Sequence, residues 1–165
     1  MGAKADVTIE YYNQNAARFL EDTAGVEFTE IQNAFLNLLP EGALILDFGC
    51  GSGRDTLEFQ RRGYQVDAMD GSEEMSRAAA ELTGLAVRQM LFQELDEKDK
   101  YDGIWACSSI LHLPKPELGD VLGRMTAALK INGVIYTSFK YGTFEGERNG
   151  RYFTDFKEET FTEFI

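Results

Sequence analysis

Residues 45–56 read ILDFGCGSGRDT, an apolar run that ends at Asp47-Phe48 and opens into a loop with glycine at 49, 51 and 53. A strand-length apolar segment that breaks into glycines just before a helical pattern reads as the strand–loop–helix start of an open α/β sheet. Ligands of such sheets sit beyond the carboxyl ends of the strands, where the strand order reverses. Glycine there permits positive φ and close backbone approach, and the helix that follows offers its positive end to an anion. Spacing narrows the ligand. The dinucleotide fingerprint G-x-G-x-x-G needs glycine at 54 or 56, where the chain has Arg54 and Thr56, and no G-K-[ST] follows to make a P-loop.

Outward from this loop, five apolar runs read as strands: 43–48 (ALILDF), 64–69 (YQVDAM), 85–90 (LAVRQM), 101–107 (YDGIWAC) and 133–139 (GVIYTSF). RDTLEFQRRG follows the first, with Gly63 as a stop. EEMSRAAAELTG follows the second, opened by Ser72 and stopped by Gly84. After the fourth, Leu118, Val121, Leu122, Met125 and Leu129 share a helical face that Asn132-Gly133 closes. Alternating strands and helices predict a Rossmann-like, doubly wound α/β fold with a mostly parallel sheet. Two helices precede the first strand, at 8–23 and from 28, the second ended by Pro40 and Gly42. Near the C-terminus, Asp155 and Glu158 form a D-x-x-E start signal for a last helix carrying Phe161, Phe164 and Ile165.

At 165 residues the chain is expected to be a single domain: N-terminal helices over 1–40 and an α/β core over 43–165. Twenty-eight acidic against sixteen basic residues, a formal charge of −12, oppose a partner held mainly through its phosphates, so nucleic acid is not expected. No apolar run reaches membrane-span length and no signal pattern opens the chain, so the expected location is the cytoplasm. Cys50 and Cys107 are too few for a disulfide scaffold, and they read as packing residues rather than a soft-metal site; no metal is expected.

Asp70, 23 residues after Asp47, ends the second strand, where a carboxylate accepts hydrogen bonds from both hydroxyls of a ribose. A nucleoside without a pyrophosphate follows from the two signals together. His112, the sole histidine, lies just past the fourth strand in SSILHLPK and has two readings: a satisfied loop histidine, or a substrate-facing base.

The run GCGSGRDT, DGSEEM, WACSSILHL, SFKYG and GRYF resembles the class I S-adenosylmethionine-dependent methyltransferases, and within them most resembles the tellurite-resistance-type small-molecule branch. The resemblance extends from about Tyr11 to the C-terminus and implies S-adenosylmethionine as cofactor, S-adenosylhomocysteine as product, a small-molecule acceptor and the sheet order 3-2-1-4-5. It places Asp47, Gly49, Cys50, Gly51, Ser52 and Gly53 around the methionine moiety, and Asp70, Gly71, Ser72 and Met75 at the ribose and adenine. Phe92 and Gln93 stand where many members carry an adenine-binding acid, Cys107 and Ser108 would form the floor, and Tyr12 and Arg18 would cover the methionine and meet its carboxylate. The family's sheet adds an antiparallel pair after the helix that begins near Asp155; that pair is expected to be missing here, in a truncated or shortened member. The fifth strand would then be an open edge available for self-association. Two other readings remain open at this stage: an inert cofactor-binding module, and a nicotinamide oxidoreductase disfavoured by the loop spacing.

Overall fold

The computed structural model describes residues 3–23 and 27–165. Residues 1, 2 and 24–26, within the region assigned above to the N-terminal helices, lie outside the described residues. The central sheet has five strands in the order β3-β2-β1-β4-β5, all pairs parallel, as the strand–helix alternation required. The strands are β1 (Leu44–Phe48), β2 (Gln65–Asp70), β3 (Arg88–Gln89), β4 (Tyr101–Ala106) and β5 (Leu129–Thr137). Order reverses between β1 and β4, so the loop after β1 opens at the switch point of the sheet.

Helices α1 (Ala3–Thr23) and α2 (Thr29–Leu36) precede the sheet, α3 (Arg54–Arg61), α4 (Glu73–Thr83) and α5 (Lys115–Ala128) form the crossovers, and α6 (Glu158–Phe164) ends the chain. Two cores result from covering both faces of β1 and β4. One joins Leu46, Phe48 and Ile104 to Leu118, Val121 and Met125 of α5. The other joins Ile45 and Trp105 to Phe35 of α2 and Phe59 of α3. The α2 contact depends on Gly103: a Cβ there would stand 2.7 Å from Phe35, so only glycine lets the helix lie this close to β4. Ser72 caps α4 as expected, its Oγ accepting from the Met75 amide at 3.2 Å, and Gly84 (φ +73) ends it.

Four local expectations change. α5 stops at Ala128 rather than at Asn132-Gly133, because the amides of Asp99 and Lys100 satisfy the carbonyls of Ala127 and Ala128 and release Leu129 to pair with Tyr101. β3 is two residues long instead of six, pairing only with Met69 and Asp70. Asp155 does not start α6: it is buried in a two-pronged ion pair with Arg148, 3.0 Å at each contact, and the helix begins at Glu158. An antiparallel pair that was not expected is present ahead of α6; it is not the pair expected to be missing after that helix. It is a separate hairpin, β6 (Glu145–Arg148) and β7 (Arg151–Thr154), outside the main sheet. Asn149 (φ +53) and Gly150 (φ +79) form its two-residue turn, the Asn-Gly pairing that matches strand twist. Among the described residues no strand pairs with the outer edge of β5.

Candidate active site

The β1 loop is shaped by its own backbone. Gly49 (φ +82) lies where a Cβ would sit 2.5 Å from the Ser109 Cβ, so no larger residue fits between the loop and the turn after β4. Gly51 (φ +54) turns its amide to the Asp70 carboxylate, donating to Oδ2 at 2.9 Å, while the Ser72 amide donates to Oδ1 at 2.9 Å. Asp70 is thereby fixed in one orientation, with lone pairs on both oxygens left for a ligand. Burial raises its pKa, and the two amide bonds oppose that rise.

These elements open onto a cavity of about 320 Å³, within the size range of small-molecule sites. Most of the expected residues meet in its wall: Tyr12, Asp47, Gly49, Cys50, Gly51, Ser52, Asp70, Gly71, Ser72, Met75, Phe92, Gln93, Cys107, Ser108 and His112. Two do not. Arg18 points away, its side chain 81% exposed beside Asp22 at 3.8 Å, because the face of α1 turned to the cavity carries Thr8, Tyr12 and Phe19 instead. Gly53 is buried under α4, where a Cβ would meet Ala79 at 3.1 Å; its part is helix packing.

Other cavity residues escaped the motif reading. Arg54 and Asp55, the last residues before Thr56 in the quoted loop segment, both line it. Arg54 lies 4.3 Å from the Phe28 ring centroid and donates to both Asp55 oxygens, at 3.3 and 3.2 Å. Asp55 also accepts from Gln32 (2.7 Å) and Trp105 Nε1 (3.0 Å), so one buried carboxylate joins α2, α3 and β4. Asp47 accepts from Thr56 Oγ1 at 2.6 Å. Burial, and then repulsion from Asp55, push its pKa up to about 8. Cys50 and Cys107 face the cavity and remain thiols: burial raises both, Cys107 to about 11. Among the described residues no three His, Cys, Asp or Glu side chains group to hold a metal.

Helix α1 lies across the cavity because polar contacts fix it on two sides. Asn13 Oδ1 accepts from Ser72 Oγ (2.6 Å) at the start of α4, and Thr8 Oγ1 accepts from the Tyr152 amide (3.1 Å) on β7. Between these, Tyr12 Oη meets His112 Nε2 at 2.9 Å. The other ring nitrogen, Nδ1, lies 2.8 Å from the Tyr152 carbonyl, which can only accept. Nδ1 therefore carries the proton, and Nε2 accepts from the Tyr12 hydroxyl. Burial lowers the His112 pKa to about 4, and the charges of Arg151 and Lys140 reinforce that shift. His112 reaches the cavity wall as expected, but both ring nitrogens are engaged and neither is free to take an acceptor's proton. The hairpin that supplies Tyr152 and Arg151 was not anticipated, although Asn149-Gly150 between ER and RYF is a hairpin signal.

Comparison with known proteins agrees with this fold. The chain is 32% identical over 122 residues to the ubiquinone biosynthesis O-methyltransferase of Rhodopseudomonas palustris (strain TIE-1), across 71% of this chain and 47% of that protein. It thus spans about half the length of the curated relatives it matches. Among solved structures, the 1,6-didemethyltoxoflavin-N1-methyltransferase of Burkholderia thailandensis, with 1,6-didemethyltoxoflavin and S-adenosylhomocysteine bound, superposes with a TM-score of 0.77. The identity is 24%, over 99% of this chain and 78% of that one. A TehB-like S-adenosylmethionine-dependent methyltransferase of Corynebacterium glutamicum gives a TM-score of 0.71 at 19% identity, over 94% and 81% of the two chains. These likenesses share the fold and do not single out the tellurite-resistance branch. The methyltransferase-domain family profile matches residues 45–133, from β1 to β5 and through the glycine loop, Asp70 and the β4 turn, and the chain belongs to that family.

Proposed function

We propose that the chain transfers a methyl group from S-adenosylmethionine to a small-molecule acceptor and releases S-adenosylhomocysteine. The observation that carries this reading is Asp70, held by the Gly51 and Ser72 amides in the wall of the cavity with lone pairs left on both oxygens. The residues present suit the cofactor. Asp70 can accept from both ribose hydroxyls, Met75 and Phe92 supply an apolar wall for an adenine, and Asp47 gives a carboxylate for a cationic group. Arg54 takes over from Arg18 as the cation facing the cavity. When bound, the cofactor supplies a methyl group on an already activated sulfonium, so the protein's own work is positioning and exclusion of water. α1 serves that exclusion as a lid, held by the Asn13, Tyr12 and Thr8 contacts.

Calorimetry tests the proposal: S-adenosylhomocysteine should bind the wild-type chain, NAD should not, and Asp70→Ala should weaken binding by about tenfold or more, the worth of hydrogen bonds to a charged acceptor. Absence of S-adenosylhomocysteine binding would overturn it. Binding with no S-adenosylhomocysteine formed from S-adenosylmethionine across a broad acceptor panel would favour an inert cofactor-binding module instead. Three narrower readings go with this proposal. The charge of −12 disfavours nucleic acid as the acceptor, and the free thiols fit a reducing cytoplasm. The unpaired edge of β5 offers self-association, which a strictly monomeric sedimentation profile at high concentration would refute.

A further inference from the structure

One cation near the site has no carboxylate. Arg148 and Arg151 pair across the hairpin and both lie over the Phe153 ring, at 4.6 and 5.1 Å. Arg148 is satisfied by the two-pronged bond to Asp155. Arg151, in a chain with a large acidic excess, has no acidic group within ion-pair distance among the described residues. Its Nε is buried without a hydrogen-bond partner. Its guanidinium lies over Tyr11 at 4.7 Å and makes one loose contact, Nη1 to Tyr12 Oη at 3.4 Å. Tyr12 and His112 line the cavity and Arg151 does not; it touches Tyr12 from outside the lining, and the charges of Arg151 and Lys140 both reach His112. A half-buried guanidinium with unused donors, flanked by rings, is suited to a planar anionic oxygen pair or a phenolate.

The engaged state of His112 bears on the same question. A neutral hydroxyl acceptor would need a base, and both nitrogens of the sole histidine are taken up, by Tyr12 and by the Tyr152 carbonyl. An acceptor bound as its anion has no proton to give up. A nearby guanidinium favours that ionised form.

We propose that Arg151, beside Tyr12, selects an acceptor bearing an anionic oxygen, a carboxylate or an acidic phenol, on a small apolar body. This rests on the methyltransferase reading, and it adds the class of acceptor.

The test is calorimetry on the full chain saturated with S-adenosylhomocysteine, with two matched pairs of probes: benzoate against benzamide, and 4-nitrophenolate against nitrobenzene. At least one anion should bind about tenfold or more tighter than its neutral partner, the worth of a charged hydrogen bond. Benzoate preference alone assigns a carboxylate, and 4-nitrophenolate preference alone assigns a phenol. Arg151→Gln should abolish the preference and Arg151→Lys should retain part of it, with S-adenosylhomocysteine affinity in both variants showing that the fold is intact. Neutral probes binding as well as the anions, no anion binding, or a preference that survives in Arg151→Gln would each overturn the proposal. If S-adenosylhomocysteine fails to bind the wild type, the methyltransferase reading falls, and the same probe pairs without it still decide whether Arg151 is an anion site.

Discussion

Asp47→Asn should stabilise the protein, and by more as pH rises. Asp47 is buried to 2% exposure, close to Asp55, and its pKa stands at about 8 against an ordinary 3.8. Because the folded-state value lies above the unfolded one, the protonated carboxyl is the form the fold prefers. Its contribution is complete below pH 3.8 and is lost as pH rises through about 8. Between those values the unfolded chain has released this proton and the folded chain has not, which costs about 1.4 kcal/mol per pH unit. From pH 5 to pH 7 the wild type therefore loses ~3 kcal/mol at this site. Asparagine does not titrate, and its amide oxygen can still accept from Thr56. Urea unfolding of both proteins at pH 5, 6 and 7 measures the difference, since other titrating groups cancel between them. The stability gap should widen in favour of Asn at each step. A gap that stays constant over this range would show Asp47 already ionised in the fold and would refute the reasoning. The ligand acts oppositely: a cationic group beside Asp47 favours the carboxylate, so S-adenosylmethionine binding at pH 7 should release close to one proton, read as a calorimetric enthalpy that changes with buffer.

Gly49→Ala should abolish measurable S-adenosylhomocysteine binding and lower Tm, because its Cβ would fall 2.5 Å from Ser109 at φ +82; near-wild-type affinity would show that the loop can move aside. Asp55→Ala removes the acceptor of Gln32 and Trp105 Nε1, and urea unfolding should show a loss of about 2 to 4 kcal/mol for the buried donors left behind. His112, alone of its kind, gives an unambiguous imidazole NMR signal: its proton should sit on Nδ1, and titration should fall near pH 4 rather than at the ordinary 6.5. Tyr12→Phe should raise that pKa, since burial lessens once the lid contact is lost, with a stability loss of about 1 kcal/mol by urea unfolding for the missing bond.

The part of the site built by short-range rules was legible in the sequence. The positive-φ glycines at 49 and 51, the aspartate ending β2 and the serine cap on α4 are each announced by a single residue type at a strand or helix end, and each shapes the cavity. What escaped depends on contacts made across the chain. Arg18 has the right chemistry on α1, but the face of α1 that meets the cavity is decided by Thr8, Asn13 and Tyr12 docking on β7 and α4, information that helical periodicity does not hold. The end of α5 was misplaced for the same reason: Asn132-Gly133 is a sound stop signal, yet Asp99 and Lys100 cap the helix earlier. The hairpin was readable from Asn149-Gly150; what the sequence could not show is that its Tyr152 carbonyl sets the tautomer of a histidine 40 residues away.

That single carbonyl links the fold to the chemistry. Were it absent, His112 could carry its proton on Nε2 and donate to the Tyr12 hydroxyl, leaving the lone pair on Nδ1, the nitrogen now turned to the Tyr152 carbonyl. With the carbonyl in place, the proton is held on Nδ1, Nε2 is committed to Tyr12, and the histidine's role passes from proton acceptor to the anchor that keeps α1 over the cavity. The hairpin thus brings, within two consecutive residues, the carbonyl that fixes the tautomer by which His112 holds Tyr12 and the guanidinium that makes a base unnecessary for an ionised acceptor. Exchanging Arg151 for glutamine would leave the first effect and remove the second, so neutral acceptors should gain nothing from the change while anionic ones lose. That divergence separates electrostatic selection from general damage to the site.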